Sequence, residues 1–220
     1  LLDQLLYFAS LKKVPKKVAM DRIKYWAERL QVEVYIFPPK TVKGKAAKAN
    51  RADQLSKGNQ QKVQLMAALI SEPEFLILDE PFSGLDPVNK DLLKNSILHL
   101  RDQGMTILFS SHQMENVEEL CDHLCLLKRG VSLFSGSLLD LKKQYGKTKL
   151  TIRTDLKLDE MTLPGVKECQ FIKGEYVLSL EAEHFAQDIF SAVYNGQYIE
   201  KFSLDYLSLD EIFKDQVGGV

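Results

Sequence analysis

Cysteine is scarce in this chain. Three thiols occur in 220 residues, an odd number with no C-x-x-C spacing. That fits a reducing cytoplasm better than a disulfide scaffold. Long apolar runs are also missing. No stretch approaches the roughly 18 consecutive apolar residues that a membrane-spanning helix needs. Charge of one sign is not in excess: 29 Lys and Arg stand against 30 Asp and Glu, a net -1. No overall attraction to nucleic acid or anionic lipid follows from that balance. The N-terminal LLDQLL is broken by Asp3 and lacks the basic flank of a signal peptide. The first residue is not Met, so a preceding segment is expected. What is present suffices for a real core: 45% of residues are hydrophobic and 27% charged. The length suits one large domain or two small ones.

Periodicity organises the rest. LDQLLYFASL spaces Leu2, Leu5, Leu6 and Phe8 as a helix, and a second helix starts after Pro15 with Ile23, Trp26 and Leu30 on one face. The run from Lys40 to Ala52 is basic without acids. It reads as a solvated loop rather than a nucleic-acid site, because no aromatics interleave the charges. Asn59 to Ile70 is a patterned helix. FLIL, Phe75 to Leu78, reads as a strand buried on both faces. A helix from Pro87 to Gly104 and a strand, MTILFSS, follow. Strand, helix, strand implies a parallel pair with a right-handed crossover. QMENVEELC is a short helix and LCLLKRGVSLFSG a hairpin. Beyond Tyr145-Gly146 the pattern changes. KLTIRT and YVLSL alternate as antiparallel strands, QYIEKFSL reads as a further strand, and HFAQDIFSAVY and SLDEIFKDQ read as helices. The expected division is 1–145, an α/β domain, and 146–220, a small α+β domain with no chemical motif.

The chemistry sits where FLIL runs into Asp79 and Glu80. In a parallel α/β sheet, ligands bind beyond the carboxyl ends of the strands. Two adjacent acids in a cleft are costly unless a cation or proton shares them. Mg²⁺ takes one or two carboxylates together with phosphate oxygens. An apolar strand ending in Asp fits that role, and a Glu directly after it is placed to polarise a water. A helix cap or turn acid is the structural alternative for this dipeptide alone. Upstream, Ser56 and Gly58 in LSKGNQQKV precede a helix, whose free N–H groups attract anions. Downstream, His112 follows the neighbouring strand and can reach the same phosphate.

LSKGN, FLILDE, SGLDP and SSH, in this order and spacing, resemble the nucleotide-binding subunit of ABC transporters over roughly residues 1 to 140. The resemblance implies a partial P-loop NTPase domain with a helical subdomain and parallel strands. It makes Asp79 the Mg²⁺-associated acid, Glu80 the general base and His112 the switch histidine that senses the γ-phosphate. LSKGN falls at the signature loop, which contacts ATP held by the opposite subunit: Ser56 and Gly58 match it, Lys57 lies between them, and Asn59 and Gln60 open the helix behind. Ser83 to Asp86 match the loop that crosses the dimer interface. The region containing SLDEIF looks like the accessory domain of some exporter-type subunits. The implied cofactors are ATP and Mg²⁺. The implied partners are a second nucleotide-binding subunit, identical or different, and a transmembrane permease, with no nucleic acid. The implied location is cytoplasmic, at the inner face of the membrane through that permease.

Two departures stand out. Lys57 and Asn59 replace the commonest Gly and Gln of the signature. No G-x-x-x-x-G-K-[ST] occurs anywhere, and neither the adenine-stacking aromatic nor the Q-loop is found. The expectation is therefore a chain that begins inside the helical subdomain and is inactive alone. A soluble ABC-type ATPase of translation or DNA maintenance is the alternative function, and a non-catalytic regulatory fragment the third. The first of these usually carries two nucleotide domains or long heptad coils, which are not seen here. Cys121, His123 and Cys125 alternate, but a zinc site normally wants four ligands, so buried thiols are the favoured reading.

Overall fold

The computed structural model of the chain describes residues 1–39, 51–196 and 198–218. The basic run at 40–52 lies outside the described residues except for Arg51 and Ala52. The chain forms two compact units, Leu1–His112 and Gln113–Val220.

The first unit begins with α1 (Leu2–Leu11), α2 (Lys16–Arg29) and the short α3 (Glu33–Ile36). On α2 the residues Ala19, Ile23, Trp26 and Ala27 recur at helical spacing, and all are buried. Pro15 takes the cap position, where its missing N–H costs nothing. A single 3₁₀ turn (Ala52–Gln54) leads to α4 (Lys57–Leu69). Then come β1 (Phe75–Asp79), α5 (Pro87–Asp102) and β2 (Thr106–Ser110). Leu93, Ile97 and Leu100 bury one face of α5. Gly104, at φ 91°, lets the chain leave α5 and turn into β2. The strands pair in parallel with Phe75 opposite Thr106 and Asp79 opposite Ser110.

FLIL is covered on one face, not both. Leu76 is 4% exposed, but its neighbour Ile77 is 66% exposed. Ile77 lines an open cleft of about 320 Å³ with Leu65, Ala68, Leu93 and Ile97. Two strands and one crossover helix supply too little apolar surface to close both sides of the pair. Among the described residues no element fills the cleft.

The second unit starts with α6 (Met114–Leu120) and the hairpin β3 (His123–Lys128) and β4 (Val131–Ser137). Arg129 and Gly130, both at positive φ, make its two-residue turn. Next are α7 (Leu138–Tyr145), β5 (Lys149–Thr154), β6 (Val166–Ile172), β7 (Glu175–Leu180), α8 (Phe185–Tyr194), β8 (Ile199–Asp205) and α9 (Leu209–Gly218). The strands form one antiparallel sheet in the order β6-β7-β5-β8. Alternation sends Leu150, Ile152, Tyr176, Leu178 and Leu180 to one face, where Ala186, Ile189 and Val193 of α8 close the core.

A smaller core joins Leu141 of α7 with Leu209 and Ile212 of α9. Met114, Val117, Leu124, Phe134 and Leu138 pack around it. This cluster groups residues 113–145 with the C-terminal sheet, so the compact units meet at His112-Gln113. The composition shift at Tyr145-Gly146 lies inside the second unit. The SLDEIF motif acts locally as a capping box. The Ser208 N–H and Oγ donate to Glu211 Oε2 at 2.7 and 2.6 Å, and the Glu211 N–H donates back to Ser208 Oγ at 3.3 Å.

Candidate active site

β1 and β2 end level with each other, with Asp79 at that edge and Glu80 just past it. Asp79 is the last residue of β1 and Glu80 the first of the turn, closed by Ser83 N–H donating to Glu80 O at 3.1 Å. Glu80 has φ 45°, a left-handed conformation. For a residue with a Cβ this costs about 1–3 kcal/mol and persists only where the surroundings fix it. Three hydrogen bonds do so. The Glu80 N–H donates to Ser110 Oγ at 3.0 Å. Glu80 Oε1 accepts from the His112 N–H at 3.1 Å and meets the His112 ring Nδ1 at 2.8 Å. A carboxylate only accepts, so Nδ1 carries the proton of that contact. Ser110 Oγ in turn donates to Asp79 Oδ1 at 2.6 Å. Asp79, Glu80, Ser110 and His112 thus form one hydrogen-bonded group at the strand ends.

The signature residues form a second group. Ser56 caps α4, its Oγ accepting from the Asn59 N–H at 3.3 Å. The Gln60 amide donates to Leu55 O at 3.0 Å, which closes the turn before the helix. Gly58 is buried against the following loop: a Cβ there would lie 3.2 Å from the Asn89 side chain and 3.3 Å from Leu85. Gln61 donates to Ser83 O at 3.4 Å. Lys57 does not project alone from the loop. Its Nζ lies over Gly84, where an added Cβ would come within 2.7 Å of it. Asp86 caps α5 by accepting the Asn89 N–H at 3.0 Å. That backbone bond, aided by the Asn89 side chain, holds the Asp86 carboxyl below its ordinary range. Lys62, buried on α4, has its ammonium pKa lowered by burial, with the Asp86 charge acting in the opposite direction.

Phe82 is buried and meets Phe109 edge-on at 6.1 Å, which pins the loop between Glu80 and Asp86 to β2. Sequence reasoning missed Ser110, Gln61 and Lys62. The first could have been found from strand register, because the last residue of β2 must face the last of β1. Cys121 sits at the end of α6 rather than on β3, so CDHLC does not present three side chains on one strand face. Burial, with the neighbouring Asp122 charge, pushes the Cys121 thiol up to about 11.

The donor chemistry suits Mg²⁺ delivered with phosphates. Asp79 and Glu80 offer hard oxygen donors. Among the described residues no group of three or more His, Cys, Asp or Glu side chains could hold a metal ion alone. An ion that keeps waters and shares phosphate oxygens needs only one or two protein carboxylates. Among the described residues no helix is long and apolar enough to cross a membrane.

Two family models match the chain. Residues 11–83 match the ABC transporter model. Residues 136–217 match the C-terminal domain of ATP-binding proteins like DrrA1-3. An uncharacterized ABC transporter ATP-binding protein of Alkalihalophilus pseudofirmus is 41% identical over 217 residues, covering 98% of this chain and 77% of the relative. YhaQ of Bacillus subtilis, also an uncharacterized ABC transporter ATP-binding protein, is 40% identical over 219 residues, 99% of this chain and 70% of the relative. A solved ATP-binding subunit of an ABC transporter superposes with a TM-score of 0.54 at 26% identity, over 66% of this chain and 55% of that one. By these matches the chain belongs to the ABC transporter ATP-binding proteins, the nucleotide-binding ATPase subunits that energise transport with transmembrane partners.

Proposed function

We propose that the group at the ends of β1 and β2 is the ATP-hydrolysing centre of such a subunit. Glu80 is the general base. Its carboxylate takes a proton from the attacking water as that water approaches the terminal phosphate in line. His112 holds the Glu80 carboxylate in place and reads the γ-phosphate. Asp79 holds Mg²⁺, which when bound offsets charge that develops on the phosphate oxygens. Ser56, Lys57, Gly58, Asn59 and Gln60, with Asp86, serve a nucleotide held by a second nucleotide-binding subunit, identical or different. ATP then lies at the interface between two subunits. A permease docks the pair at the cytoplasmic face of the membrane. In this reading the functional division lies at 145/146: residues 1–145 carry the chemistry and 146–220 regulate or dock.

The observation that carries the proposal is the 2.8 Å contact between Glu80 Oε1 and His112 Nδ1, beside Asp79, just past the ends of adjacent parallel strands. Glu80→Gln in the assembled transporter tests it. Hydrolysis should fall about 10²- to 10⁴-fold while ATP binding persists. Size-exclusion chromatography of the complete variant subunit with ATP, separated from the permease, should then show the closed pair of subunits accumulating. A variant that hydrolyses at the normal rate and shows no accumulation removes Glu80 from the role of base.

A further inference from the structure

We infer that Ser110 is a positioning residue that holds the two acids of the site in register with each other. The inference rests on the reading of Asp79 and Glu80 given above. Ser110 stands opposite Asp79 in the parallel ladder. One hydroxyl serves both acids: its oxygen accepts the Glu80 N–H at 3.0 Å, and its proton goes to Asp79 Oδ1 at 2.6 Å. The chain here reads Glu80 N–H to Ser110 O–H to Asp79 carboxylate, each donor meeting an acceptor.

Backbone conformation shows why a hydroxyl is needed at this place. Glu80 departs from the strand at φ 45°, so its N–H leaves the run of ladder pairs that ends at Asp79 and Ser110. Ser110 Oγ takes that N–H and so fixes the turn that aims the Glu80 side chain at His112. The same oxygen's proton fixes which way the Asp79 carboxylate faces. The orientation of the base and that of the metal-associated acid are therefore set by one atom. Alanine at 110 frees both, and valine fills the space without either bond. Threonine restores the hydroxyl on a branched side chain that suits a strand.

The experiment compares Ser110→Ala, Ser110→Val and Ser110→Thr in the assembled transporter, with Glu80→Gln as the control for the underlying reading. Steady-state hydrolysis, ATP affinity, and Mn²⁺ affinity in the presence of ADP by electron paramagnetic resonance are measured on each. Ser110→Ala and Ser110→Val are expected to lower kcat about 10- to 100-fold. They are expected to weaken Mn²⁺ about 10-fold or more, as loss of a group that orients a metal ligand does. ATP affinity stays near its starting value, and Ser110→Thr recovers both quantities. If Ser110→Ala does not fold, the difference between valine and threonine decides. Normal kcat and Mn²⁺ affinity in the folded hydroxyl-free variants overturns the inference. So does equal loss in threonine and valine, or lost activity with unchanged Mn²⁺ affinity. If Glu80→Gln is itself fully active, the reading of the site fails first; if Glu80→Gln is inactive and the Ser110 variants are normal, only the role of Ser110 fails.

Discussion

At the ends of β1 and β2, Ser110 links Asp79 to Glu80 and Glu80 meets His112 on an exposed edge, with Glu80 in a left-handed conformation. On the open face of the C-terminal sheet, charges are arranged differently. Arg153 bridges Glu175 at 2.6 Å and Glu200 at 2.8 Å, and Lys201 reaches Glu175 at 3.1 Å. There acids and bases neutralise each other in relaxed strands. In the first unit two carboxylates stand side by side with no Lys or Arg bonded to them in the hydrogen-bond network described above. Glu80 keeps its left-handed conformation there because hydrogen bonds to Ser110 and His112 hold it. The cores differ in the same sense. Ile77 in the first unit faces an open cleft, whereas Leu150, Ile152 and Leu178 in the second are fully enclosed. The second unit encloses its sheet core, whereas the strand pair of the first is covered on one face only.

Perturbing each side in turn sharpens that contrast. The largest effect is expected at the signature loop. Ser56→Arg removes the α4 cap and places bulk and charge at the helix start. If the loop serves the partner's nucleotide as proposed, in the assembled transporter it should abolish hydrolysis yet leave the first ATP-binding event nearly unchanged. Equilibrium titration with a labelled ATP analogue checks this, and a large loss of affinity would mean the loop acts on its own subunit's nucleotide. Next is the sheet core of the second unit. Ile189 is fully buried beneath the sheet. Ile189→Ala should cost about 2–5 kcal/mol through lost burial and the cavity left behind. Urea unfolding followed by circular dichroism reads it. The smallest effect is at the capping box. Ser208→Ala should cost about 1 kcal/mol, a cap's typical contribution, with no change in ATP hydrolysis per folded molecule. Thermal unfolding and a hydrolysis assay on the same sample measure both. Loss of hydrolysis in stable Ser208→Ala protein would end the proposed separation of roles between residues 1–145 and 146–220.

Acid should act on the same cap. Glu211 is half-exposed; burial raises its pKa, but hydrogen bonds from Lys149 and Ser208 outweigh this and hold it below the ordinary carboxylate range. Its folded-state value is depressed, so its contribution is present above the ordinary Glu value of about 4.3 and is lost as pH falls through the lower folded value. Glu211→Gln should flatten that part of the acid-unfolding curve.

Much of this was legible in the residues. The parallel pair followed from strand, helix, strand, and the placement of Asp79, Glu80 and His112 at one edge followed from it. The hairpin was readable because Arg129-Gly130 separates two apolar runs. Other features needed three dimensions. The strand β6 escaped notice because Lys167 and Glu168 stand together and break alternation; β7 supplies the pairing that holds it. The helix α7 is eight residues long, too short for a decisive period. That Lys57 lies over Gly84 depends on a loop 27 positions away in sequence and not on local pattern. Ser110 looked like the tail of a strand until register set it opposite Asp79. The left-handed φ of Glu80 has no sequence signal, since Glu is an unfavourable residue for that conformation.

The central claim is that Glu80 and His112 act as one unit in ATP hydrolysis. A double-mutant cycle of Glu80→Gln and His112→Ala, read by single-turnover hydrolysis in the assembled transporter, tests it most directly. Groups that act as a unit give strongly non-additive losses. The double variant is expected to be scarcely slower than the worse of the two single variants. Losses that multiply, with each residue contributing independently of the other, would contradict it.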